Sequence, residues 1–290
     1  MGSPCELVLD GVEARMAESV YAEVRAEIEA LEARYSRYRS NSLISQINQA
    51  AGSGHAIAVD AELFALLRYA DTCYQQSDGR FDVSSGPLRR AWRFDQPGLP
   101  SPASLEPLLA LVGWPKVSWD AECIRLPLAG MELDFGGIVK EYAADRIAQR
   151  VAAMGVRHGF IDLGGDLHLF GPKHNGEAWS VGLRHPRDPA ALMGSVLMQS
   201  GAMATSGDYA RSFVMDGVRY SHLLNPVTGY PVRTVLIGVS VLAPLCVLAG
   251  SASTISILME EAGPDWLAGL GLESAAMDAE GGIHGELSSQ

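Results

Sequence analysis

Hydrophobic side chains recur at helical spacing early in the chain. Met16, Val20, Val24, Ile28, Leu31 and Tyr35 share one face of an otherwise charged segment, which predicts an amphipathic helix after a short first strand at 4–10. Leu63, Leu66, Leu67, Ala70 and Tyr74 repeat the pattern behind Asp60, a residue suited to an N-cap, and this second helix ends before Asp78-Gly79. A tight turn then presents Arg80-Phe81-Asp82. Residues 36–48 read as a surface passage in which Arg37, Tyr38 and Arg39 either flank a ligand or form a solvated helix end. The proline-rich stretch 87–118 predicts loops or short helices packed over a core.

Further on the period changes. Residues 132–135 predict a strand end running into Gly136-Gly137, followed by a helix with Ile138, Tyr142, Ile147, Val151 and Met154 inward and Gly155 near its close. Short strands are expected at 158–163, 179–183, 195–199, 211–215, 218–223 and 236–242. Asp216-Gly217 is the turn of a hairpin, 251–261 and 266–270 are helical, and 277–284 resembles a terminal hairpin. This order predicts an α+β fold with a largely antiparallel sheet flanked by helices, as a single domain over 1–290.

A hydrophobic share of 48% with 19% charged residues fits a compact globular chain able to bury a substantial core. The net charge of -12, with no basic run, argues against nucleic acid and anionic membranes as partners. Cys5, Cys73, Cys123 and Cys246 are scattered and read as free thiols. No apolar run at either end is long enough to span a bilayer, and no signal-type core follows the N-terminus, so a cytoplasmic location is expected.

The segment from Met203 to Gly229 concentrates small residues, hydroxyls, one acid and one histidine around the Asp216-Gly217 turn. Folding back at Asp216-Gly217 brings Thr205, Ser206 and Asp208 opposite Ser221 and His222. Two readings fit. In one, His222 accepts a proton from an attacking hydroxyl while Asp208 orients the ring or helps hold a metal; in the other, both side chains bond to loops and turns. Gly136-Gly137 before a helix likewise either brings amide hydrogens and Lys140 to phosphate oxygens or makes a sharp turn only. The remaining histidines, His55, His158, His168, His174, His185 and His284, lack metal-ligand spacing and read as surface or loop residues.

Several motifs in one order carry a resemblance. They are Met1-Gly2-Ser3-Pro4, Ser36-Arg37-Tyr38-Arg39 with Asn41-Ser42 and Ile47-Asn48, Gly79-Arg80-Phe81-Asp82, the run from Leu133-Asp134-Phe135 through Gly136-Gly137 to Lys140, and Asp162-Leu163-Gly164-Gly165-Asp166. Ala204-Thr205-Ser206-Gly207-Asp208-Tyr209, Tyr220-Ser221-His222 and Asn225-Pro226-Val227-Thr228-Gly229 follow. Through them the chain resembles the ApbE family of FAD:protein FMN transferases over nearly its whole length. The resemblance implies transfer of the FMN part of FAD to a threonine or serine hydroxyl of an acceptor protein, with release of AMP. It implies FAD contacts at Met1, Tyr38, Arg80, Phe81, Asp82, Asp134, Lys140 and Leu224, with Tyr38 and Phe81 as aromatic contacts, and a reaction centre at Thr205, Asp208 and His222. It further implies magnesium held by the Gly137 carbonyl and Thr254, together with a late-helix aspartate. Here the chain departs: Gly250 stands where that aspartate is expected, and Asn225 where an aspartate is common. The alternative is therefore a noncatalytic FAD-binding or flavin-delivery protein with a degenerate metal site.

Overall fold

The computed structural model describes residues 4–289. The chain opens with β1 (Cys5–Leu9), α1 (Ala14–Tyr35), α2 (Leu43–Gln49), β2 (Ile57–Ala58) and α3 (Ala61–Gln76). It continues with α4 (Pro102–Leu109), β3 (Ser118–Trp119), β4 (Cys123–Arg125), α5 (Val139–Ala153), β5 (Gly159–Leu163) and β6 (Leu167–Gly171). Next come β7 (Trp179–Arg184), β8 (Leu192–Met198), β9 (Gly201–Gly207), β10 (Ser212–Met215) and β11 (Val218–Ser221). The last elements are β12 (Leu236–Ala243), α6 (Cys246–Leu258), α7 (Gly263–Gly269), β13 (Ser274–Asp278) and β14 (Ile283–His284).

Seven strands form one sheet in the order β1-β5-β6-β9-β12-β13-β14, and each neighbouring pair is antiparallel. The fold is thus α+β, with the expected antiparallel sheet. Because side chains alternate across a strand, β9 serves both sides: Ala202 and Ala204 join the core beneath α5 and α6, whereas Met203 joins a smaller core with Leu167, Leu169, Val196 and Met198. The β7–β8 hairpin supplies this second layer. The larger core runs from Val20 of α1 to Ala276 of β13.

Several local expectations hold for local reasons. Asp60 Oδ1 accepts from the Leu63 N–H at 2.9 Å and caps α3. Asp216 and Gly217 both adopt left-handed backbone, φ 51° and 78°, as a two-residue hairpin turn requires between β10 and β11.

Others are corrected. The surface passage at 36–48 contains α2, capped by the Ser42 hydroxyl on the Ser45 N–H at 3.0 Å, because Ile44 and Ile47 bury completely against the core. No strand forms at 132–135; Glu132 makes only an isolated bridge to Ser85. Strands β6 and β9 lie where no strand is expected, and α6 begins at Cys246 rather than 251. His168 is not a surface or loop residue: it sits on β6, and its Nδ1 contacts Asp145 Oδ1 at 2.6 Å.

Candidate active site

The site lies where β9 meets α5 and α6. Ser206, on the α6 side of β9, places its Oγ 2.9 Å from Ser253 Oγ and 2.8 Å from Thr254 Oγ1. Thr205 points to the opposite face, and its Oγ1 is 2.8 Å from Ser240 Oγ on the neighbouring β12. The Thr205 N–H donates to Asp166 Oδ1 at 3.1 Å, and the other Asp166 oxygen pairs with Lys140 Nζ. Thr205 is therefore tied to the Lys140 ion pair through its backbone, while Ser206 is the hydroxyl that faces Thr254.

Helix α6 is itself seated by a charge. Asp145 of α5 accepts from the Cys246 and Val247 N–H groups at 2.6 and 3.0 Å, satisfying two donors that the helix start leaves free. One turn into α6, Gly250 leaves open a space occupied by Glu141 of α5. Burial and the neighbouring Asp166 carboxylate push the Glu141 carboxyl up, with Lys140 opposing them.

A second group of charges gathers around Tyr38. Arg37 Nη2 donates to the Tyr38 hydroxyl at 2.7 Å, and Arg37 also pairs with Asp134. Burial raises the Tyr38 hydroxyl, but the Arg37 and Arg211 guanidinium groups outweigh it and bring the hydroxyl below its ordinary range. Asp134 Oδ1 accepts from the Gly136 N–H at 2.9 Å, fixing the entry to the glycine turn. Tyr38 is mostly exposed, whereas Arg80 keeps a buried Nε without a partner.

Two positions expected to touch FAD, one aromatic and one acidic, are engaged within the fold. Phe81 is buried, and its ring lies 3.2 Å from where a Cβ on Gly137 would stand, so it supports the glycine turn from below. Asp82 Oδ1 accepts from the Ser84 N–H and hydroxyl, and its Oδ2 accepts from the Trp114 N–H at 3.1 Å. Both of its oxygens are thus committed within the chain. Leu224 is half-buried in an isolated bridge to Pro231. Met1 lies outside the described residues.

His222 follows β11, and its N–H donates to the Arg211 carbonyl at 2.9 Å. Its buried Nδ1 has no partner. Burial first, then the Arg211 and Lys140 charges, lower the imidazole to about 4, so the ring is neutral at pH 7 and keeps one unprotonated nitrogen. Asp208 does not orient it by hydrogen bonding: the carboxylate is held by Arg187, at 2.5 Å from Nη1 and 2.8 Å from Nη2. Asn225 Oδ1 accepts from the Val227 and Thr228 N–H groups and closes a turn, a role that needs no charge.

Sequence reasoning missed Glu141, Arg187 and Arg211 as members of the site, and it placed Ser206 there without its contact to Thr254. Asp166 was signalled only by the Gly164-Gly165-Asp166 turn, and Glu141 by nothing, since an acid in the first turn of a helix ordinarily faces solvent. On the second-layer face, a cleft of about 290 Å³ is lined by Thr205, Tyr209, Asp162, Gly165 and Arg184, among others.

This sheet, with a hydroxyl-rich strand facing an α5–α6 junction and cations beside it, has close counterparts. The chain matches the ApbE family over residues 1–276 and belongs to that family. It is 34% identical over 248 residues to a FAD:protein FMN transferase of Klebsiella pneumoniae (strain 342), covering 84% of this chain and 75% of that protein. The FAD:protein FMN transferase of Treponema pallidum (strain Nichols) is 32% identical over 287 residues, covering 87% and 78%. Among solved structures, the ApbE protein of Thermotoga maritima MSB8 superposes with a TM-score of 0.87 at 29% identity, covering 98% of this chain and 94% of that one. The flavin transferase ApbE of Vibrio cholerae gives 0.83 at 25% identity, covering 100% and 94%.

Proposed function

We propose that this chain takes FAD as substrate and transfers its FMN part to a threonine or serine hydroxyl of an acceptor protein. The acceptor oxygen forms a new bond to the FMN phosphorus, the pyrophosphate bond breaks, AMP leaves, and the hydroxyl proton passes to the His222 imidazole. The observation that carries this reading is His222 itself, a half-buried neutral imidazole whose buried Nδ1 has no partner, within electrostatic reach of Lys140 and Arg211. These cations are suited to the anionic pyrophosphate, which the net charge of -12 would otherwise repel.

In this reading Met1, Tyr38, Arg80, Asp134, Lys140 and Leu224 bind FAD, while Phe81 and Asp82 hold the turns that present them. Arg37 and Arg211 belong with the binding residues because both converge on Tyr38. Thr205 acts by fixing Asp166 through its N–H, and Asp208 by anchoring Arg187.

An oxygen-preferring cation fits the α5–α6 junction. Its walls carry serine and threonine hydroxyls and buried carboxylates, the oxygen donors such an ion prefers, although among the described residues no three His, Cys, Asp or Glu side chains gather around one point. Thr254 and the Gly137 carbonyl would hold it, and magnesium is the ion we assign. When bound, magnesium offsets negative charge on the pyrophosphate.

The chain would work as one flavin-transferase domain, since its larger core draws on residues from Val20 to Ala276. Cys73, Cys123 and Cys246 carry free thiols, which suits a reducing cytoplasmic setting. No helix among the described residues is long and apolar enough to cross a membrane.

The second reading, FAD binding without transfer, is favoured by Gly250, where the chain carries no carboxylate. Mass spectrometry of a threonine-bearing acceptor domain incubated with the protein, FAD and magnesium separates the two. An adduct carrying one FMN, with one AMP released, is the expected result. Retained FAD binding with no adduct on an acceptor that a relative modifies establishes the second reading instead.

A further inference from the structure

Gly250 stands in the interior of α6, where glycine is about 1 kcal/mol less favourable than alanine. It has no positive φ to justify it. Its justification is space. A Cβ built on Gly250 would lie 2.5 Å from Glu141 Cγ, 3.1 Å from Cδ and 3.2 Å from Oε1. The Glu141 side chain, entering from α5, therefore fills the volume a side chain at position 250 would take, and its carboxyl lies where a short acidic side chain on α6 would reach.

One oxygen of that carboxyl has no partner in the protein, and the Asp166 carboxyl adjoins the group. The side chain is 9% exposed, and Oε2 is buried without a hydrogen-bond partner. Oε1 is 3.8 Å from Lys140 Nζ, beyond hydrogen-bond range, and Lys140 is already paired with Asp166. An acid buried with a free oxygen is costly unless a cation or donor meets it. Oxygen donors lie next along α6: Ser253 Oγ donates to the Gly250 carbonyl at 3.0 Å, and Thr254, one turn beyond Gly250, is bridged to Ser206.

We propose that Glu141 supplies, from α5, the carboxylate of a divalent-cation site whose other wall is Thr254 on α6, so that the glycine at 250 marks a relocated ligand rather than a lost one. A hard cation takes carboxylate and hydroxyl oxygens together, and ligand charge sets its affinity. The site is then intact in this chain, and Gly250 is required to admit Glu141. An aspartate introduced at 250 beside Glu141 collides with it.

The inference rests on the flavin-transfer reading only for the use made of the cation. Its test is metal binding: titration of the purified protein with Mn²⁺, counted by electron paramagnetic resonance, with and without FAD. We expect one Mn²⁺ bound, displaced by excess Mg²⁺. Glu141→Gln, which keeps shape and removes charge, should weaken it at least about tenfold while the thermal midpoint does not fall. Gly250→Asp alone should lower the midpoint and not tighten Mn²⁺, whereas Glu141→Ala with Gly250→Asp, returning one acid to the same space, should recover binding. No Mn²⁺ bound under either condition, equal binding by Glu141→Gln, or tighter binding by Gly250→Asp alone would each overturn the assignment. Glu141-dependent Mn²⁺ binding in a protein that transfers no FMN would sink the transfer reading and leave this one standing.

Discussion

Arg187 grips Asp208 through two hydrogen bonds, 2.5 and 2.8 Å, that join the loop after β7 to the end of β9. The pair is two-pronged and partly buried, a geometry stronger than a surface ion pair. Arg187→Ala should cost about 1–3 kcal/mol of stability by leaving the Asp208 carboxylate without its partner. It should also slow FMN transfer more than it weakens FAD binding, because the contact lies at the reaction-centre end of β9. Urea unfolding together with FAD titration checks this; wild-type behaviour in both removes Asp208 from the positioning role.

The His222 imidazole gives a pH signature. Its folded value of about 4 lies below the ordinary 6.5, so the unfolded chain binds the extra proton first as pH falls. Stability from this group is complete above pH 6.5 and is lost as pH falls toward 4, by up to about 3 kcal/mol. His222→Gln should flatten that part of the stability curve and abolish transfer with FAD still bound. A curve unchanged by the substitution would contradict the burial of a neutral ring.

Asp145 holds the start of α6 and the His168 ring at once. Asp145→Ala leaves the Cys246 and Val247 N–H groups unsatisfied and should cost about 2–4 kcal/mol, with Asp145→Asn losing less. Denaturant midpoints measure it. Cation binding should weaken in parallel, since α6 carries Thr254.

Asp134 and Arg37 form one unit at the mouth of the glycine turn. Asp134→Ala should weaken FAD at least about tenfold, near 1.4 kcal/mol, by loosening the turn and freeing Arg37. Asp82→Ala, in contrast, should lower stability first and FAD affinity only as the fold loosens. Flavin fluorescence titration distinguishes them, and equal FAD affinity in Asp134→Ala would remove that residue from the binding set.

Features that neighbours within a few positions decide can be read from the chain alone. The cap at Asp60, the left-handed turn at Asp216-Gly217 and the helical stripes of α1 and α3 depend on local backbone geometry and on hydrophobic period, so they were legible. The ordered motifs made the family legible too. Tertiary structure alone decided the rest. Strand β9 carries small and hydroxyl residues without clear alternation, and it becomes a central strand because β6 and β12 complete its hydrogen bonding on both sides. Residues 132–135 looked extended but found one bridge rather than a partner strand. Asp208 read as a partner for His222 because sequence spacing cannot reveal Arg187 waiting across the fold. Gly250 read as a deletion of charge for the same reason: only the packing of α5 against α6 shows that Glu141 occupies the space it leaves.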